Sequence, residues 1–136
     1  MSAMTENDKL DLAREMFQAW ERLDWDRVVD LFADDGVLHS VMQEPVVGRE
    51  AIAERMAVLG SKATRLELRV SALGVIDDRV FVERVDDFDF DGHHGHVPVV
   101  GVLRMADGRV TEWLEYYDRP TLLAGMGLDA RTDFGH

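Results

Sequence analysis

Hydrophobic residues recur along this chain with two different periods. Over residues 6–23, Leu10, Leu12, Ala13, Met16, Phe17, Trp20 and Leu23 return at the spacing of one helix face. Thr5, followed by acidic residues, supplies an N-terminal signal. Asp24 predicts the cap of a second, shorter helix through Phe32, with Val28, Val29 and Leu31 inward. Ala33-Asp34-Asp35-Gly36 reads as a turn, Gly36 to Val41 as a strand, and Glu44-Pro45-Val46-Val47-Gly48 as a loop. A third helix is predicted from Arg49 to Leu59, stopping at Gly60.

From residue 63 the apolar positions alternate instead. Strands are predicted over 63–75, 79–90, 96–105 and 109–117, with turns at Asp77-Asp78, Asp91 to Gly95 and Ala106-Asp107-Gly108. A short helix is expected from Pro120 to Met126, and residues 1–5 and 127–136 read as loose termini. Helices followed by a strand meander predict an α+β fold, with residues 1–136 as one domain. The expected architecture is a cone: a strongly curved mixed or antiparallel sheet wrapped by the N-terminal helices around an apolar pocket.

The strand at 79–90 breaks its own pattern. Val82, Arg84, Asp86, Phe88 and Phe90 share one face, and three of the five are large and apolar. A guanidinium and a carboxylate in such a face are costly unless paired. Trp113, Glu115 and Tyr117 share a face of the last strand, so a second carboxylate sits between aromatics. Two carboxylates and an arginine in one apolar cup suit general acid–base chemistry on a small, apolar substrate. A satisfied structural ion pair is the plainer alternative.

Charge and composition narrow the partners. The 136 residues carry a formal charge of −12 at pH 7, which argues against nucleic acid and anionic membrane surfaces. There is no cysteine, so thiolate nucleophiles and cysteine zinc sites are excluded. No stretch reads as a signal or a membrane span, so a cytoplasmic location is expected. His93, His94 and His96 fall at a glycine-containing turn without a converging carboxylate set. They read as an exposed hairpin rather than a metal site, and His39 should point away from the cup. Asp87 and Asp89 belong to the outer, solvated face, and Arg49 reads as a structural partner of nearby acids.

Several segments together carry a family resemblance: Phe32-Ala33-Asp34-Asp35, Pro45-Val46-Val47-Gly48-Arg49, Glu83-Arg84-Val85-Asp86, Val100-Gly101-Val102, Asp107-Gly108-Arg109-Val110 and Trp113-Leu114-Glu115-Tyr116-Tyr117-Asp118. With this order of elements the chain resembles the NTF2-like, or SnoaL-like, fold, and more closely the limonene-1,2-epoxide hydrolase family. The resemblance spans about residues 8 to 125. It implies an Asp–Arg–Asp catalytic unit falling on Asp86, Arg84 and Glu115, with glutamate in place of the second aspartate. It also implies a water-holding tyrosine and asparagine where this chain has Leu38 and Ser40, of which only Ser40 keeps a hydroxyl.

The activity implied is one-step addition of water to a small hydrophobic epoxide, with no cofactor. Asp86 would donate a proton, Glu115 would accept one from water and Arg84 would orient both, and the two acid roles can be exchanged. Strand parity and the resemblance together assign the pocket to Phe17, Trp20, Leu38, Leu59, Phe88, Val97, Val99 and Tyr117. A homodimer through the outer sheet face is also implied, and Val100 and Val102 on that face fit it. Two rival functions share the scaffold. One is an isomerase of the ketosteroid type or an epoxide-opening cyclase. The other is a non-catalytic binder of hydrophobic ligands.

Overall fold

The computed structural model describes residues 3–129, so residues 1–2 and 130–136 of the expected loose termini lie outside the described residues. Helix α1 (Glu6–Glu21) starts at a capping box. The Thr5 hydroxyl accepts from Asp8 N–H at 3.0 Å, and the Asp8 carboxylate accepts from Thr5 N–H at 2.9 Å. Such a cap stabilises a helix by about 1 kcal/mol. The inward face buries Leu12, Ala13, Met16 and Phe17, as their spacing requires. Lys9 on α1 is also buried, and it pairs with Asp78 in a sheet turn, which satisfies its charge. Helix α2 (Trp25–Leu31) follows, capped by the Asp24 side chain accepting from Arg27 N–H at 3.2 Å.

Six strands come next, interrupted by one helix: β1 (Phe32–Ser40), β2 (Val46–Val47), α3 (Arg49–Gly60), β3 (Ala63–Ile76), β4 (Arg79–Phe90), β5 (His93–Ala106) and β6 (Arg109–Tyr117). Helix α4 (Arg119–Gly125) follows β6. The three hairpins among β3 to β6 each turn on two residues. Their φ values are positive throughout: 49° and 67° at Asp77-Asp78, 50° and 81° at Asp91-Gly92, 52° and 77° at Asp107-Gly108. Two left-handed residues match the twist of the flanking strands, and Asp and Gly tolerate that conformation best.

Several boundaries differ from the sequence pattern: Val46–Val47, expected in a loop, pair with β1 as β2, α2 ends at Leu31 rather than Phe32, and α4 runs Arg119–Gly125. Ala33 to Gly36 lie inside β1, where a register shift against β6 between Phe32 and Val37 absorbs the polar residues. Local turn chemistry is overridden there by pairing with a distant strand. β5 begins at His93, because the Asp91-Gly92 pair completes the turn by itself.

The larger correction concerns the sheet. Its order is β2-β1-β6-β5-β4-β3, parallel between β1 and β6 and antiparallel elsewhere. The expected strongly curved cone is not found. The mixed sheet is open, with β2 and β3 at separate edges. The pair β4 and β5 runs from Val80–Leu103 to Phe90–His93 without a register shift, while β3–β4, β5–β6 and β1–β6 carry shifts. Helices, rather than sheet closure, complete the inner side.

Two apolar clusters cover that inner face. One joins α1, α2 and α3 to the sheet around Trp113, Phe32 and Met16, all fully buried. The other packs Phe88, Phe90, Val97 and Val99 against Met126 and Leu122 of the C-terminal segment. Gly95 and Gly125 make α4's approach possible, since a Cβ on either would run into the other's backbone. Leu128 extends this contact through its N–H, which donates to Leu123 O at 2.8 Å.

Candidate active site

Between the clusters lies a cavity of about 180 Å³. Trp20, Leu38, Leu59, Phe88, Val97, Val99 and Tyr117 line it, with Ser40, Asp86 and Glu115 supplying polar groups. Phe17 does not line the cavity. It is buried behind the site, against Trp113 at a ring separation of 6.0 Å. Its place on the wall is taken by residues outside the sequence expectation: Arg55 and Met56 of α3, and Leu122, Leu123 and Met126 of the C-terminal helix segment. The pairing of Gly95 with Gly125 was the available sequence signal for that last wall, but only a known fold brings those two glycines together.

Arg84 organises the polar wall. Its side chain is 3% exposed, and its guanidinium fork engages two carboxylates at once. Nε donates to Asp86 Oδ1 at 2.7 Å and Nη2 to Asp86 Oδ2 at 3.1 Å. Nη1 donates to Glu115 Oε2 at 3.0 Å, and Nη2 also donates to Glu115 Oε1. The guanidinium carbon lies 5.8 Å from the Trp113 ring centroid and 6.0 Å from that of Phe17. Both aromatic rings therefore lie within cation–π reach of the guanidinium.

Strand geometry explains the convergence. Arg84 and Asp86 are two residues apart on β4, and Glu115 comes from β6, two strands away. The intervening strand β5 must leave room for the guanidinium. It does so at Gly101, which pairs with both Val82 and Glu115. A Cβ there would come within 2.8 Å of Glu115 Oε2 and 2.9 Å of Arg84 Nη1. Gly101 is thus a site residue in effect, although it contributes no chemistry.

Two carboxylates facing one guanidinium leave the trio one negative charge in excess, which favours uptake of a proton. Burial pushes Glu115 above the ordinary glutamate value, and the Arg84 charge and hydrogen bonds only partly oppose this. The cation itself is secure. Burial disfavours it, yet Glu115 and Asp86 hold Arg84 above the usual arginine value.

A second polar group lies alongside. Ser40 pairs with Glu115 across the parallel β1–β6 register, and Val41 N–H donates to Glu115 O at 3.1 Å. The Ser40 hydroxyl lies 2.7 Å from the Tyr117 hydroxyl. Burial raises the Tyr117 phenol, so it stays protonated.

The remaining candidates fall elsewhere. His39 Nε2 lies 2.8 Å from Gln43 O, in a local turn contact. His94 sits on the outer face, 2.9 Å from Asp89. Arg49 is 2.8 Å from Asp34 and bonds the Phe32 carbonyl. Among the described residues, no three His, Cys, Asp or Glu side chains gather as metal ligands, and no helix is long and apolar enough to cross a membrane.

Comparison with known proteins places this geometry in context. The family model for the SnoaL-like domain matches residues 13–113. Among solved structures, a LEH-like epoxide hydrolase from M. tuberculosis is similar at 22% identity and TM-score 0.78, over 89% of this chain and 90% of that one. A protein of ketosteroid isomerase-like fold from Catenulispora acidiphila matches at 23% identity and TM-score 0.77, over 90% and 96%. A candidate polyketide cyclase from Xanthomonas campestris matches at 22% identity and TM-score 0.78, over 89% and 98%. At such identities the likeness speaks for the fold.

Proposed function

We propose, from the premise that the chain belongs to the SnoaL-like domain family, that it opens an epoxide ring on a small apolar substrate by paired acid–base chemistry. The observation that carries this is one guanidinium held between two carboxylates on the wall of an apolar cavity. Glu115, the carboxyl that burial drives toward its protonated form, gives its proton to the ring oxygen as the C–O bond breaks. Asp86 takes a proton from the water whose oxygen bonds to the ring carbon. The product is a vicinal diol. Transfer of the proton from Asp86 back to Glu115 resets the site. These roles are the exchange of those the family resemblance first suggests, and the upward push of burial on Glu115 supports the exchange. Each proton transfer in such a mechanism contributes roughly 10²- to 10⁴-fold in rate.

A second reading has its own observation. Leu38 presents an apolar side chain to the cavity where the family resemblance implies a water-holding tyrosine, so that holder is missing. A hydroxyl of the substrate would then be the nucleophile, and the same acid and base would close a ring.

Incubation with cyclic and terpenoid epoxides in oxygen-18 water separates these readings. Labelled diol formed by the parent, and reduced at least about 10²-fold in Asp86→Asn and in Glu115→Gln, is the expected result. An unlabelled cyclic product from hydroxy-epoxides would support the cyclase. Thermal stabilisation by the same compounds without any product would make the protein a binder.

A further inference from the structure

We propose that the hydroxyl pair Ser40–Tyr117 is an oxygen-recognition subsite of the cavity, donating one hydrogen bond to an acceptor oxygen carried by an otherwise apolar ligand. The inference deepens the epoxide-opening reading and rests on it for the identity of that oxygen.

The argument begins with the count of hydrogens. The two oxygens are 2.7 Å apart, and either hydroxyl can be the donor. If Tyr117 donates to Ser40, the serine hydrogen remains free. If Ser40 donates to Tyr117, the phenolic hydrogen remains free. In both arrangements one hydrogen is left to donate, and both residues line the cavity. Tyr117 keeps its proton, because burial raises its pKa.

Position completes the argument. Ser40 lies opposite Glu115 in the β1–β6 register, and Tyr117 is two residues beyond Glu115 on the same face of β6. The pair therefore stands beside the carboxyl that burial favours as the proton carrier. Two donors on one side of an apolar cavity suit an oxygen that only accepts, such as an epoxide or a ketone. An epoxide oxygen there would receive a second hydrogen bond as negative charge builds on it. Ser40 is thereby given a role toward the substrate oxygen rather than toward water.

The test uses an oxygen ligand that cannot react. Cyclohexanone and methylenecyclohexane have nearly the same shape, but only the ketone accepts a hydrogen bond. Their binding is followed by tryptophan fluorescence, to which Trp20 on the cavity wall contributes. The parent should bind the ketone about tenfold more tightly, as one hydrogen bond of roughly 1.4 kcal/mol gives. In Tyr117→Phe, Ser40 can still donate, so part of the preference remains. In the double variant Ser40→Ala with Tyr117→Phe the preference should fall toward unity, and the infrared carbonyl stretch of the bound ketone should move to higher frequency. Ser40→Ala alone leaves the Tyr117 hydroxyl free to donate and should likewise keep part of the preference, and circular dichroism of the double variant checks that it is folded. An equal affinity of the parent for both ligands, or a preference and stretch unchanged in the double variant, would overturn the subsite. Turnover in oxygen-18 water is independent of this readout. A protein that prefers the ketone and makes no product keeps the subsite and loses the chemistry.

Discussion

Arg84 and Arg65 each bridge carboxylates, on opposite faces of the same sheet. Inside, Arg84 holds Asp86 and Glu115. Outside, Arg65 on β3 holds Asp89 at 2.9 Å and also pairs with Asp87, with His94 close by. The residue types are nearly the same, and the surroundings are not. The Arg84 side chain is 3% exposed and that of Arg65 38%. Outside, the Arg65 hydrogen bonds come first, and both aspartates are held below their ordinary values. Inside, loss of water comes first, and Glu115 is pushed up. An arginine between two acids is therefore no signature of a reactive site. What matters is whether desolvation or pairing dominates the weaker acid.

The largest difference should follow removal of the two cations. Arg84→Met leaves two buried carboxylates without a partner, which typically costs about 3 kcal/mol or more at neutral pH, and it should abolish turnover. Arg65→Met should leave turnover unchanged and move the urea midpoint far less, because Asp89 is partly exposed to water and Asp87, although itself buried, keeps Arg69 at 3.6 Å. Equal losses in the two variants would erase the distinction between the faces.

A smaller effect tests the space around the inner cluster. Gly101→Ala places a methyl group against Glu115 and Arg84 and should destabilise by about 1–3 kcal/mol while lowering activity. Gly74→Ala, on the strand β3 with nothing within 4 Å of the added carbon, is the control and should be near neutral. Urea unfolding of both variants makes the comparison.

The pH dependence should have opposite signs on the two faces. Glu115 binds its proton more tightly when folded, so its contribution to stability is full below the ordinary glutamate value of about 4.3 and is lost as pH rises through the folded value. Asp87 and Asp89 do the reverse. Their contribution is present above the ordinary aspartate value of about 3.9 and is lost as pH falls through their lowered values. Glu115→Gln should flatten the decline toward neutral pH, and Asp89→Asn should produce the smallest change, a shallower loss at the acid end. Denaturant midpoints measured across pH would reverse the assignment if Glu115→Gln left the decline intact.

The inner trio was readable in the sequence because strand alternation places Arg84 and Asp86 together with Phe88 and Phe90 on one face. The same parity separates Asp87 and Asp89 to the other side, where β3 supplies Arg65. The β3 to β6 hairpins were equally legible, because Asp-Asp and Asp-Gly turns act locally. What alternation could not convey is anything set by long-range pairing. The parallel β1–β6 contact draws Ala33 to Gly36 into a strand and sets Ser40 beside Tyr117. The open sheet was missed for the same reason, since which strands end at the edges, here β2 and β3, is decided by long-range pairing. The α4 wall depends on two glycines thirty residues apart in the chain, with no local pattern to join them.

The most direct measurement is the carboxyl region of the infrared spectrum at neutral pH, compared among the parent, Glu115→Gln and Asp86→Asn. The expected result is a protonated-carboxyl band in the parent that disappears in Glu115→Gln and survives in Asp86→Asn. Absence of the band from the parent, or its loss in Asp86→Asn alone, would contradict a proton held on Glu115 and with it the proposed acid.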